Sequence, residues 1–215
     1  TLSSSSAASD VYKRQMLISS MNNNPQLVEE NFQNLQNIPS SSFGVERELD
    51  GDHIISLGEP KNTIIEYASM TCPHCSDFHG DVFPRIKKDL IDTGIVKYTF
   101  RDFPLDPFAM AGTMIANCVN EDKYFDVVNV LLKTQKKWIE RGYQGIISVA
   151  KNFGLSEEDT KRCLSDKELI NLIESNMNLA SNSFGITGTP SVFVNGKKIQ
   201  SLKYEDILNE IKLKD

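Results

Sequence analysis

Two cysteines three positions apart, Cys72 and Cys75, lie where a strand-like stretch of the chain gives way to a helix-like one. The preceding residues 63–68 are apolar on both faces apart from Glu66, which is typical of a strand buried on both sides of a sheet. After the cysteines, apolar residues recur at three- and four-residue spacing, which predicts a helix over 75–92. The two thiols are therefore expected at the turn between a central strand and the helix that follows it.

The flanking segments extend this turn into a recognisable unit. Pro84 falls inside the predicted helix, so we expect a kink there. Residues 95–101 are predicted to form the next strand, and residues 54–57 an earlier, shorter one. Strand, helix and strand in this order predict parallel strands joined by a right-handed crossover, and hence an α/β fold.

The second half of the chain predicts a helical block and then a β-hairpin. The predicted helices are 110–120, 122–138, 146–153, one with Ser156 as N-cap and Asp159 at the capping-box position, and 167–183. Residues 191–194 then predict a strand, and Asn195-Gly196 predicts a tight hairpin turn because both residues tolerate positive φ. An amphipathic helix over 204–213 is predicted to close the chain.

The N-terminal residues differ in composition from the rest. Residues 1–15 are polar and rich in serine and alanine, and we interpret them as a non-native leader resembling translated sequencing adapter. Residues 16–50 are predicted to hold a linker and one short helix at 26–36. The short apolar run at 16–20 does not make a signal peptide, so we expect the true beginning to be truncated or replaced.

Charge and hydropathy exclude two classes of protein. The chain of 215 residues has a net charge of −6 and no lysine or arginine run longer than two residues, so nucleic-acid binding is not indicated. It has no stretch of about 18 apolar residues that could predict a membrane span.

Two motifs together carry a family resemblance. Cys72-Pro73-His74-Cys75 after a strand, and Gly188 to Gly196 much later with helices between, resemble the DsbA family of thiol–disulfide oxidoreductases, in the branch with many alphaproteobacterial DsbA-like proteins. The resemblance covers roughly residues 50–213. It implies a thioredoxin-like fold with an inserted all-helical subdomain. The expected boundaries are 51–105 and 185–215 for the thioredoxin-like domain and 106–184 for the insertion.

The dithiol has a physical reason for each of its four residues. Cys72 would lie at a helix N-terminus, where free N–H groups and the helix dipole favour the thiolate that attacks disulfides. His74 could add a positive charge or a hydrogen bond and lower the Cys72 pKa further, while Pro73 fixes the first helical turn. Cys75 would be the buried resolving thiol. The alternative is half of a zinc site, but the other cysteines and histidines are badly spaced for it.

The resemblance also implies roles for residues far from the dithiol. Thr189-Pro190 resembles the family's cis-proline pair, which would leave the Thr189 backbone free to bind a substrate strand and would keep metals from the thiols; a trans proline is the alternative. Glu66 corresponds to a buried acid that could accept the Cys75 proton, with Lys97 as a possible partner. We interpret His79 as an incidental surface histidine.

Cys118 and Cys163 both fall in the helical block. The resemblance suggests a structural disulfide between them, and two buried free thiols are the alternative. Closing this separation would contribute roughly 3–4 kcal/mol of stability in the chain-entropy model.

The activity implied by the resemblance is the introduction of disulfides into reduced, unfolded secreted proteins. It implies a periplasmic location, reoxidation by a membrane quinone-linked partner of the DsbB type, and no cofactor or metal. Two alternatives stay open: a disulfide isomerase or reductase of the same fold, which Thr189 would also suit, and a redox-inert peptide-binding or chaperone-like module.

Overall fold

The fold of the chain is built on one mixed sheet, which a computed structural model describes within residues 44–211. The predicted leader 1–15 and the predicted helix 26–36 lie outside these described residues. The strands are β1 (His53–Ile55), β2 (Asn62–Ala68), β3 (Val96–Asp102), β4 (Ser191–Val194) and β5 (Lys197–Lys198). They lie side by side in the order β1-β3-β2-β4-β5.

Strand β2 lies in the middle of the sheet, as its apolar sequence predicts. It pairs in parallel with β3, with Glu66 opposite Phe100, and antiparallel with β4, with Glu66 opposite Val192. Because β2 is covered on both faces, Glu66 is fully buried. The strand ends at Ala68 and so delivers the following turn to one edge of the sheet.

The helix after β2 begins and breaks at different residues from those predicted. Helix α1 runs over Pro73–Asp81, α2 over Phe83–Ile86, and a π-helical turn follows over Lys87–Ile91. The break falls at Val82, two residues before Pro84. Pro84 has no N–H to donate to the preceding turn, so it lies in the first turn of a new helix, where none is needed.

The helical block lies between β3 and β4. Its elements are α3 (Pro107–Cys118), a 3₁₀ turn (Glu121–Lys123), α4 (Tyr124–Lys133), α5 (Gln135–Glu140), α6 (Tyr143–Asn152), α7 (Glu157–Cys163) and α8 (Lys167–Phe184). The single helix predicted over 122–138 is interrupted at Thr134, whose hydroxyl donates back to the carbonyl of Val130 at 2.7 Å. The predicted capping box of Ser156 and Asp159 opens α7.

Helices and sheet share the larger of two hydrophobic clusters. It joins Ile64 and Phe100 of the sheet with Phe78 of α1, Leu131 of α4 and Trp138 of α5. Helices α5 and α6 approach so closely that a Cβ on Gly145 would lie 2.0 Å from the carbonyl oxygen of Trp138. The block is therefore packed as part of the same interior, and the boundaries 106–184 stay a prediction.

The end of the described chain follows the predicted hairpin. Asn195 and Gly196 have φ values of 49° and 77°, which allow the two-residue turn between β4 and β5. The last helix, α9, spans Tyr204–Asn209 and so ends before the predicted residue 213. Within residues 44–211, no helix is both long enough and apolar enough to cross a membrane.

Candidate active site

The dithiol lies at the turn from β2 into α1. Cys72 is the N-cap of α1 and Pro73 its first helical residue, and no side chain caps this helix end. The backbone N–H of Cys72 donates to the carbonyl of Ser69 at 3.1 Å, which closes the turn. The free N–H groups of the first helical turn and the positive end of the helix dipole therefore face the Cys72 sulfur.

A buried glutamine from the helical block fixes this turn. Gln135, the first residue of α5, donates its side-chain amide to the carbonyls of Met70 at 2.9 Å and Cys72 at 2.8 Å. The Ser76 hydroxyl donates to the carbonyl of Leu132 at 2.8 Å, beside the same helix break. Gln135 was not among the predicted site residues, because nothing in the local sequence indicates where its amide points.

The surroundings of reduced Cys72 favour its thiolate form. Cys72 is 7% exposed, and its pKa is lowered from 9.0 to about 5, chiefly by a hydrogen bond with the Cys75 thiol. The contact with Thr189 and the backbone N–H groups of Cys75 and His74 lower this pKa further, and partial burial opposes the effect. The thiolate is the attacking and the leaving form of cysteine, so this sulfur suits both steps of disulfide exchange.

Cys75 has the opposite character. It is completely buried, and burial together with the hydrogen bond to Cys72 and the charge of Glu66 raises its pKa strongly. The two thiols of one turn are thus a stabilised thiolate and a thiol that holds its proton. Both are free in the structure.

Thr189 and Pro190 lie against Cys72, 117 residues away in the chain. The Thr189-Pro190 peptide bond is cis, and the Cys72 sulfur lies 3.2 Å from the Thr189 carbonyl oxygen, to which it donates when it is protonated. The Thr189 hydroxyl is buried and has no hydrogen-bond partner among the described residues. The structure therefore brings together the two motifs that the sequence separates.

Glu66 forms a buried cluster behind the dithiol, and its partners correct two expectations. Its carboxylate accepts hydrogen bonds from the Tyr98 hydroxyl at 2.6 Å and from His79 Nε2, which lies 3.1 Å from both oxygens. The expectation that Lys97 pairs with Glu66 is wrong, because the Lys97 side chain lies on the other face of the sheet and pairs with Glu48 at 2.8 Å. The surface position expected for His79 is also wrong, because His79 is 1% exposed.

The remaining predicted residues lie apart from this cluster. The His74 side chain is 82% exposed, 4.0 Å from Asp77, so only its backbone N–H acts on Cys72. Cys118 and Cys163 are joined by a disulfide between the C-terminal ends of α3 and α7. Within the described part of the chain, no three histidine, cysteine or acidic side chains are grouped so that they could hold a metal ion.

Comparison with known proteins agrees with this architecture. The thioredoxin family model matches residues 50–212. The crystal structure of Wolbachia pipientis alpha-DsbA1 superposes with a TM-score of 0.72 at 30% identity, covering 78% of this chain and 92% of that one. The predicted thioredoxin-like α/β fold with a helical insertion is therefore confirmed.

Sequence relatives carry related names. A Rickettsia bellii protein provisionally named a protein-disulfide oxidoreductase is 29% identical over 77% of this chain and 66% of its own length. Bacillus subtilis disulfide bond formation protein D is 25% identical over 75% of this chain and 76% of its own. The chain spans between 54% and 66% of the length of five Rickettsia relatives.

Proposed function

Because the chain belongs to the DsbA-like family of thioredoxin-fold protein-disulfide oxidoreductases, we propose that it introduces disulfides into reduced secreted polypeptides through Cys72 and Cys75. The observation that carries this proposal is the contrast between the two thiols. A Cys72 pKa of about 5 stabilises the reduced form, and a protein whose reduced form is stabilised is a strong oxidant when it holds the disulfide.

The reaction is a transfer of two electrons from a substrate dithiol to the Cys72–Cys75 disulfide. A substrate thiolate attacks the Cys72 sulfur, the Cys72–Cys75 bond breaks, and its electron pair goes to Cys75, which takes up a proton. The second substrate thiolate then attacks the substrate sulfur of the mixed disulfide. Cys72 departs as a thiolate, and its low pKa makes it a good leaving group.

The neighbouring residues have proposed roles in these steps. Pro73 sets the first helical turn, and His74 contributes its backbone N–H to the thiolate. Thr189 and Pro190 form the wall against which a substrate strand would lie beside Cys72. Glu66 exchanges the proton of Cys75, which is supported by its burial and by the effect of its charge on that thiol.

The setting of this activity is part of the proposal. The substrates are unfolded, reduced secreted polypeptides in the periplasm, and a membrane quinone-linked protein of the DsbB type restores the disulfide. Family membership supports this setting, and the name of the Bacillus subtilis relative supports disulfide formation itself. The reaction needs no cofactor, since both electrons stay on sulfur.

Two measurements test the direction of the chemistry. The fraction of oxidised protein in a series of glutathione buffers gives the Cys72–Cys75 potential, which we expect to be more oxidising than that of the glutathione pool. Reduced unfolded ribonuclease should regain activity with the oxidised protein. Recovery only from scrambled ribonuclease would instead favour the isomerase, and a potential near that of thioredoxin would favour the reductase.

Replacement of the nucleophile tests whether the dithiol acts at all. Cys72→Ala should abolish ribonuclease oxidation, because no mixed disulfide can form. Cys118→Ala with Cys163→Ala is the control, since it removes cysteines that lie apart from the dithiol and should keep the activity. Full activity of Cys72→Ala in every assay would leave only the redox-inert binding module.

A further inference from the structure

His79 and Glu66 form a sealed pair in the interior. His79 lies on α1, one helical turn after Cys75, and Glu66 lies on β2 beneath it. Both side chains are essentially without solvent contact, and His79 Nε2 is 3.1 Å from each carboxylate oxygen. This contact joins the helix that carries the thiols to the central strand.

Titratable groups on three neighbouring elements face this pair: Tyr98 on β3, Tyr124 on α4 and Cys75 on α1. Tyr98 on β3 donates to Glu66, and burial together with the charge of Glu66 raises the Tyr98 pKa, so the phenol keeps its proton. The charge of Glu66 also raises the pKa of the Cys75 thiol on α1. The rest of the surroundings of His79 is aromatic: Phe78, Phe83 and Phe100.

Within residues 44–211, one ring nitrogen of His79 makes no hydrogen bond that would explain why a histidine lies here. Nδ1 is buried and has no hydrogen-bond partner among the described residues. A buried polar atom of this kind costs about 1–3 kcal/mol, and native proteins usually satisfy it. The ring is therefore fixed by the carboxylate at Nε2 alone, and Nδ1 is left without a structural partner in this part of the chain.

No lysine or arginine pairs with Glu66 within residues 44–211. Lys97 pairs with Glu48, and Arg101 pairs with Asp52 through Nε at 2.7 Å. The Glu66 carboxylate is therefore bonded to a histidine, whose ring nitrogens can both donate and accept a proton.

We propose that His79 is a positioning residue that orients the Glu66 carboxylate and shares a proton with it, so that the pair gives a proton to Cys75 or takes one from it during exchange. This inference rests on the proposed function. In the oxidising direction, His79 passes the shared proton to the Glu66 carboxylate, and Glu66 passes it on to the Cys75 thiolate released from the disulfide. In the reverse direction, Glu66 takes the Cys75 proton and His79 holds it, while the Cys75 sulfur attacks the mixed disulfide.

A two-phase reaction of the reduced protein with 5,5′-dithiobis(2-nitrobenzoate) separates the two thiols. The first thionitrobenzoate is released when Cys72 attacks the reagent. The second is released when Cys75 attacks the mixed disulfide on Cys72, and that step needs Cys75 to lose its proton. Stopped-flow absorbance from pH 5 to 9 gives both rates.

We expect His79→Gln to slow the second phase about tenfold to a hundredfold near pH 7 and to leave the first phase unchanged. The pH profile should change as well. Without the pair, Cys75 loses its proton to solvent, so the second rate should rise about tenfold per pH unit. His53→Gln is the control, because His53 lies on β1 and bonds Asn117 at 3.0 Å, away from the dithiol.

Glu66→Gln gives the decisive comparison. It also keeps the inference testable if His79→Gln does not fold. If His79 acts through Glu66, the second phase should be slow in Glu66→Gln and no slower in the double variant. A second phase in His79→Gln or Glu66→Gln with the rate and pH profile of the unmodified protein would overturn the inference. Absence of the first phase in the unmodified protein would instead overturn the proposed function.

Discussion

Cys72 links the pH of the solution to the stability of the reduced protein. Its folded-state pKa of about 5 lies below its ordinary value of 9.0, so proton loss favours folding. This stabilisation is complete above pH 9 and is lost as the pH falls through about 5. At pH 7 it is about 2 kcal/mol, after a discount for solvent screening. The raised pKa of Cys75 has an opposite effect only above pH 9.

The first prediction at this scale is a stability gap between redox forms that closes in acid. In urea unfolding at pH 7, the reduced protein should have the higher free energy of unfolding, because only it contains the Cys72 thiolate. The gap should shrink by about 2 kcal/mol between pH 7 and pH 4. Cys72→Ala, which lacks the thiolate, is the control: between pH 7 and pH 4 its free energy of unfolding should fall by about 2 kcal/mol less than that of the reduced protein. Equal midpoints of the two forms at pH 7 would contradict both this prediction and the strong-oxidant proposal.

At the scale of elements, the break between α4 and α5 is a feature of the active site. It places Gln135 so that one amide holds two carbonyls of the turn that carries Cys72. A continuous helix over 122–138 would carry this side chain elsewhere. The helical block thereby supports the geometry in which backbone N–H groups face the thiolate.

Gln135→Leu should loosen that turn. Two buried carbonyls lose their donor, so the free energy of unfolding should fall by about 1–3 kcal/mol. The Cys72 pKa should rise by about one unit as the N–H groups of His74 and Cys75 lose their alignment. Thiolate absorbance at 240 nm against pH measures this shift, with the exposed Gln144→Leu as control. Lower stability with an unchanged pKa would show that Gln135 supports the fold alone.

The sequence predicts an element well when neighbouring residues determine it, and poorly when tertiary contacts do. The strand with Glu66, the turn at Asn195-Gly196 and the capping box of Ser156 follow from neighbouring residues, and all are present. The break at Thr134 and the burial of His79 depend on tertiary contacts. His79 does follow Cys75 by four residues and Phe78 by one, on the face of α1 that its apolar residues bury, and this spacing could have indicated its position.

At the scale of the whole molecule, two devices hold distant segments in place. Arg101 of β3 donates to the carbonyls of Val45 and Arg47 and to both oxygens of Asp52, and so fastens the segment before β1 to the sheet. The Cys118–Cys163 disulfide joins the ends of α3 and α7 across 45 residues. Neither device touches the dithiol.

Removal of the second disulfide should therefore cost stability and spare reactivity. Cys118→Ala with Cys163→Ala should lower the free energy of unfolding by roughly 3–4 kcal/mol, because the unfolded chain regains the freedom of a long loop. Urea unfolding with Cys72 and Cys75 kept reduced in both proteins measures the difference. The rate at which Cys72 reacts with thiol reagents should stay the same. Unchanged stability would mean that the disulfide constrains little in the unfolded chain.

The complete burial of Cys75 also decides what the reduced protein offers to its surroundings. Peroxide and alkylating agents reach sulfur from solvent and react with thiolates, so they react with Cys72 and not with Cys75. Damage to the pair is thus confined to one sulfur. One molecule of iodoacetamide on Cys72 therefore inactivates the centre, whereas a sulfenic acid on Cys72 condenses with the intact Cys75 thiol to form the disulfide and water.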